Sequence, residues 1–158
     1  SYKVAMDDEF VAQLLKRNPD VARSLDYSHI PIIDQLDLGV RKLELDVFFD
    51  EDSDSLVVGH VQQIDMNSSC SPLDVCFDQI LTWSQANSNH VPIWISFNAK
   101  DQRIQGLPVP DVFSDHALEL LDREIQVSFE GKLIWPKDVN RLSWPEIEAC
   151  GGISGRSR

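Results

Sequence analysis

An α/β architecture with mostly parallel strands is the fold class this sequence predicts, on three observations. Apolar, strand-like runs alternate along the chain with segments of helical apolar spacing. Breakers such as Asn18-Pro19, Gly39 and Ser71-Pro72 fall between those segments. The 158 residues, 42% hydrophobic and 25% charged, are enough for one domain with a real core.

Taken in order, Asp7 or Asp8 can cap a helix reaching about Lys16, with Phe10, Val11, Leu14 and Leu15 on its apolar face. Asn18-Pro19 breaks it. Ile32, Ile33, Leu36 and Val40 follow helical spacing, and Gly39 supplies a stop before a strand at 41–49. Residues 50–54 form an acidic turn, and Leu56-Val57-Val58 a short strand leading to His60. Ser71-Pro72 opens a helix, with a capping hydroxyl and Pro at the first helical position. That helix runs to about Ala86 and buries Val75, Phe77, Ile80, Leu81 and Trp83 to varying degrees. In the strand at 91–98, Ile93, Ile95 and Phe97 alternate with Trp94, Ser96 and Asn98. A loop at 102–110, a helix from near Ser114 to Ile125 and a short strand at Leu133-Ile134 follow. Ser143-Trp144-Pro145 starts a last helix, and 151–158 reads as an irregular tail.

Charge narrows the partners. With 14 basic and 26 acidic residues the net charge is −12, and no basic patch suited to a nucleic-acid backbone stands out. The same charge repels an anionic membrane surface unless a cation or an apolar rim intervenes. No apolar run approaches the length of a membrane span. Of the three cysteines, Cys70 and Cys76 bracket a short loop entering a helix. They are either a disulfide, worth about 2 kcal/mol by loop closure, or two buried free thiols. Neither their spacing nor a nearby histidine pair suits zinc.

Candidate chemistry begins with Glu44 and Asp46. A strand has a side-chain period of two, so both carboxylates leave one face while Leu43, Leu45 and Val47 leave the other. Two like charges on one strand face are costly unless a cation or hydrogen-bonding ligand compensates them. Asp46 lies toward the carboxyl end of its strand, where barrel and open-sheet enzymes place their sites. His60, at the end of the next strand, supplies an acid–base group. These residues point to metal-assisted phosphodiester chemistry; half-exposed carboxylates paired with Lys or Arg are the alternative. Asn98 and Lys100 continue the face of Trp94 and Ser96, offering an amide oxygen for calcium and an ammonium for a phosphate oxygen. A strand-end turn with a solvated lysine is the plainer reading of that pair. Asp50, Asp52 and Asp54 have the opening spacing of a calcium loop, but Ser55 and Val61 stand where Gly and Glu are required. That motif fails. His29, His90 and His116 read as ordinary surface or hydrogen-bonded histidines.

Together these residues resemble the calcium-dependent phosphoinositide-specific phospholipase C family. The matching segments are Ser1-Tyr2, Tyr27-Ser28-His29, Gln35-Leu36-Asp37-Leu38-Gly39-Val40-Arg41, Leu43-Glu44-Leu45-Asp46-Val47 and His60-Val61. Cys70, Cys76, Trp83-Ser84, His90-Val91-Pro92, Lys100-Asp101 and Trp135-Pro136-Lys137-Asp138-Val139 continue the match in the family's order. The resemblance implies a partial TIM-type (β/α) barrel in one incomplete domain over 1–158, roughly the first half without the first strand, since the full barrel takes about 250 residues. It implies Ca2+ held by Glu44, Asp46 and Asn98, with Lys100 near the phosphate. His60 becomes the second of two catalytic histidines, protonating the departing diacylglycerol oxygen. The implied partner is a phosphoinositide or another phosphodiester lipid, met peripherally at a membrane surface, and no nucleic acid.

Cys70 and Cys76 match positions that look disulfide-bonded in a secreted family, which implies an extracellular or secretory-pathway protein. There are two departures. The family's His-Asn pair, its first catalytic histidine and a metal ligand, directly precedes its Ser-Tyr; neither is in this sequence, which implies poor catalysis by the chain as given. Asn98 stands where the family usually has Glu, and fewer charged ligands mean weaker calcium binding. A glycerophosphodiester phosphodiesterase, which has a similar Glu-Leu-Asp element, and a non-catalytic relative binding a headgroup or a protein are the competing readings.

Overall fold

Alternation within one apolar strand organises the structure. The computed structural model describes residues 2–105, 107–135 and 138, and the chain divides into two units, Ser1–Ser128 and Phe129–Arg158. In the first unit β1 (Lys42–Asp50) buries Leu43, Leu45 and Val47 completely, while Lys42 and Glu44 are exposed. Its neighbours are β2 (Ser55–Val58) and β3 (Trp94–Ala99), in the order β2-β1-β3. β3 runs parallel to β1, from Lys42 opposite Trp94 to Val47 opposite Ala99. β2 runs antiparallel, with Val47 opposite Val58 and Asp50 opposite Ser55.

The expectation of mostly parallel strands is therefore corrected: one pair is parallel and one antiparallel. The reason is loop length. Residues 51–54 are too few for a crossover and can only turn the chain back as a hairpin. Asp50 Oδ1 accepts the Asp52 and Ser53 amides there, and Asp54 takes a φ of 48°.

Among the described residues five helices accompany the sheet: α1 (Asp8–Arg17), α2 (Pro19–Leu25), α3 (Ile32–Asp37), α4 (Leu73–Ala86) and α5 (Asp115–Ser128). α2 is unexpected from the sequence. Asn18-Pro19 ends α1 and starts α2 at once: the Asn18 side chain accepts the Val21 amide, and Pro19 takes a position where no N–H is needed. Gly39, at φ 94°, ends the α3 segment in a conformation that costs other residues more. Ser71 does not cap α4. Its hydroxyl instead accepts the Val58 amide, tethering the helix start to β2. α4 buries Leu73, Cys76, Phe77, Ile80 and Trp83, and Phe77 meets Phe97 of β3 edge-on at 5.9 Å. That contact puts the helical layer on the Leu43–Leu45–Val47 face. A smaller apolar cluster of Met6, Val11 and Leu25 packs with Leu14, Val61 and Ile64.

In the second unit, Lys132 N–H turns back to the Phe129 carbonyl and the Asp138 carboxylate accepts the Trp135 amide. Leu133-Ile134 is not a strand. The helix expected at Trp144-Pro145 and the tail at 151–158 lie outside the described residues. No helix among the described residues is long and apolar enough to cross a membrane.

Cys70 and Cys76 form a disulfide, tying the approach to α4 onto its first turn. Replacing both by Ser is expected to lower the stability of the folded chain by about 2 kcal/mol through loop-closure entropy. Urea unfolding of the two forms checks this; coincident midpoints would show that the bridge contributes nothing.

Candidate active site

The period that buries Leu43, Leu45 and Val47 sends Glu44 and Asp46 to the opposite sheet face. Parallel register brings Ser96 beside Glu44 and Asn98 beside Asp46. Asp46 is only 7% exposed. Its burial is compensated by three donors: Tyr2 Oη gives a 2.5 Å hydrogen bond to Oδ2, Lys100 Nζ lies 3.2 Å from the same oxygen, and Asn98 Nδ2 donates to Oδ1 at 2.7 Å. Lys100 is held in reach by its own N–H, which bonds the Val47 carbonyl.

Tyr2 carries this cluster to the next one. Its hydroxyl also approaches the Gly59 carbonyl at 3.2 Å. A Cβ at Gly59 would come within 2.5 Å of the flexible Met66 thioether and 3.3 Å of the Met66 Cα, so a side chain there requires Met66 to shift. Burial, followed by the hydrogen bond and charge of Asp46, pushes the Tyr2 phenol far above its usual titration range. Tyr2 is thus a fixed donor.

His60 follows directly. Its backbone N–H and that of Val61 both bond the Asp65 carbonyl, and the Asp65 amide returns to Val61 O. This tight turn swings the Asp65 carboxylate back, so that Oδ2 lies 2.8 Å from His60 Nδ1. The same oxygen lies 3.2 Å from Lys3 Nζ, and Lys3 and Asp65 are each 1% exposed. Lys3 also donates to the Tyr27 carbonyl at 2.8 Å and sits 4.5 Å over the Tyr27 ring. Tyr27 in turn meets His29 and His60 edge-on. Burial, with the charges of Asp65 and Asp46, raises the Tyr27 phenol, and burial beside Lys3 and His60 lowers the His29 imidazole.

Of the residues expected from sequence, Asp46, Asn98 and Lys100 are in direct contact. Glu44 shares their strand face two residues earlier and is exposed. His60 connects to Asp46 through Gly59 and Tyr2. Sequence reasoning missed Tyr2, Lys3, Tyr27 and Asp65 as site residues. Tyr2 and Tyr27 had a signal, because both fall in family-matching segments. Lys3 and Asp65 had none, since two charges 62 positions apart read as solvated. A cleft of about 480 Å³ lined by Arg41, Trp83 and His90 lies at the start of β1 and includes none of these residues.

The comparisons place this chain in the phospholipase C class. It belongs to the family described as phosphoinositide phospholipase C, Ca2+-dependent, which it matches over residues 1–56 and 52–150. No curated protein and no solved structure matches the chain significantly.

Calcium, which the family name implies, can be tested against this donor set. Among the described residues no three His, Cys, Asp or Glu side chains gather in a metal cluster. The Glu44–Asp46–Asn98 face nonetheless offers carboxylate and amide oxygens, the ligands a hard cation prefers. A carboxylate only accepts, so Asn98 turns its amide nitrogen to Asp46 and keeps its carbonyl oxygen for another partner. The donor chemistry fits calcium, with water needed to complete about six to eight ligands. Lys100 meanwhile neutralises Asp46 from within the chain.

Tyr2→Phe keeps the ring's packing and removes the hydroxyl. It is expected to cost about 1.5–3 kcal/mol in urea unfolding, the range for a hydrogen bond to a charged group. A loss well under that range would mean that Asp46 is held by Asn98 and Lys100 alone.

Proposed function

We propose that this chain carries the calcium-dependent site of a phosphodiesterase that cleaves phosphatidylinositol-type lipids, on a (β/α) barrel to which β1 and β3 contribute. The observation that carries the reading is the link through Tyr2, which ties the Asp46–Asn98–Lys100 cluster to the residue preceding His60. Family membership supplies the reaction class. The parallel β1–β3 pair with α4 between them in sequence supports the barrel.

In this reading Glu44, Asp46 and Asn98 hold Ca2+. When bound, the ion neutralises charge on a phosphoryl oxygen. Lys100 can exchange Asp46 for a phosphate oxygen, because its ammonium is a mobile point charge on a flexible stem. The inositol 2-hydroxyl attacks phosphorus as a general base takes its proton, a role the family gives to a histidine that the described residues do not supply. The bond from phosphorus to the diacylglycerol oxygen breaks, and that oxygen takes a proton from the His60 imidazolium. A cyclic inositol phosphate and diacylglycerol are the products. Such a lipid is met peripherally at the membrane surface, and the Cys70–Cys76 disulfide supports an extracellular or secretory setting.

The test is release of inositol phosphate from phosphatidylinositol vesicles by the native gene product. Chelation and Glu44→Gln are each expected to abolish release, and His60→Ala to lower turnover by about 10² or more while calcium binding persists. A parallel loss of calcium affinity in His60→Ala would make His60 structural. No turnover of this lipid or of glycerophosphodiesters by folded protein would overturn the enzymatic reading in favour of a non-catalytic relative. Lys100→Met removes the internal competitor for Asp46 and is expected to tighten calcium binding roughly fivefold, about 1 kcal/mol for a partly exposed ion pair. Titration calorimetry reads this; weaker binding would show that Lys100 helps to build the cation site.

A further inference from the structure

The Asp65–Lys3 pair lies outside the calcium and phosphate groups, and its construction is not that of a pair built for stability alone. Buried ion pairs stabilise only when their remaining hydrogen-bonding capacity is met. Among the described residues Asp65 Oδ1 is buried with no hydrogen-bond partner, while Oδ2 meets both Lys3 Nζ and His60 Nδ1. The carboxylate concentrates its bonding on the one oxygen that faces the histidine.

We infer that Asp65, anchored by the buried ammonium of Lys3, is a positioning residue that holds His60 in the tautomer protonated at Nδ1. This rests on His60 being the acid of the proposed reaction. An ammonium has donors only, so the oxygen facing it is an acceptor and the proton of the shared bond stays on Nδ1. Nε2 is then the ring nitrogen left to exchange a proton with a bound ligand. The His60 side chain is 25% exposed, so that exchange is open from the site side while Nδ1 is closed off behind it.

The ring is held in orientation as well as tautomer. The Asp65 carbonyl accepts the His60 backbone N–H at 2.9 Å, and the Tyr27 ring lies edge-on to the imidazole at 5.9 Å. Lys3 fastens to both sides of this clamp, bonding Asp65 and the Tyr27 carbonyl. Lys3 is therefore the hub, and its own burial is compensated by the groups that hold the histidine.

Long-range 15N–1H correlation spectra of the labelled protein, recorded where His60 is neutral, read the tautomer directly. In the wild-type chain the proton is expected on Nδ1; a proton on Nε2 overturns the inference with no variant needed. Lys3→Met with Asp65→Leu removes both charges together and so avoids leaving either one buried alone. In that double variant the proton is expected to move to Nε2, and kcat to fall about 10–100-fold, the usual cost of losing a histidine's orienting partner, with KM little changed. Retention of Nδ1–H, or an unchanged kcat, in the folded double variant overturns the positioning role. The spectrum separates this inference from the catalytic reading: His60→Ala with full turnover would remove the catalytic role alone, and the tautomer would still report what holds the ring.

Discussion

A buried carboxylate that must not be left alone is the constraint on which this structure turns. Asp46 sits at 7% exposure at the centre of β1, not toward its carboxyl end as the sequence suggested, and an uncompensated charge there would cost several kcal/mol. Its compensation comes from three places in the chain: Tyr2 near the start, Asn98 on β3 and Lys100 just beyond it. Each donor constrains a segment. Asn98 pins the parallel register, Lys100 the exit from β3, and Tyr2 the path of the first residues past the 59–60 loop. The interaction that makes Asp46 tolerable also assembles the site.

A second compensated charge repeats this logic at Lys3, the residue after Tyr2. Lys3 and Asp65 are both buried, and each is held by the residues around His60 rather than by solvent. The two clusters meet at Tyr2 and Gly59, so the groups around Asp46 and around His60 are mechanically one unit. Neither cluster rests on apolar packing for its geometry. The apolar layer of Leu43, Leu45, Val47 and Phe77 lies behind the sheet and supplies a rigid floor. Hydrogen bonds to ionised groups set the positions above it, which suits a site that needs orientation more than volume.

Much of the floor was legible in the sequence. The alternation of Leu43, Leu45 and Val47 against Glu44 and Asp46 allows one strand with one dry face, and Ile95 and Phe97 repeat it on β3. Asn98 and Lys100 were legible as candidates because they continue the polar face of that strand. The direction of β2 was misjudged because the apolar run at 56–58 carries no mark of orientation; the shortness of the turn before it does. α2 was missed because Asn18-Pro19 is both a stop and a start, and a breaker signal alone does not distinguish the two. Ser71 was read as a cap because its hydroxyl precedes Pro72, yet a backbone amide on β2 claims it first.

By itself, the sequence determined the strand faces, the five candidate site residues and the family. All of these depend on local periodicity or on residue order, which a linear chain displays in full. Tertiary structure decided that Asp46 and Asn98 meet at 2.7 Å, that Lys100 turns back onto Asp46, and that Lys3 and Asp65 are buried partners of His60. Those facts follow from burial. A charged side chain has the same letter whether water or another residue compensates it, and only the folded chain selects between them.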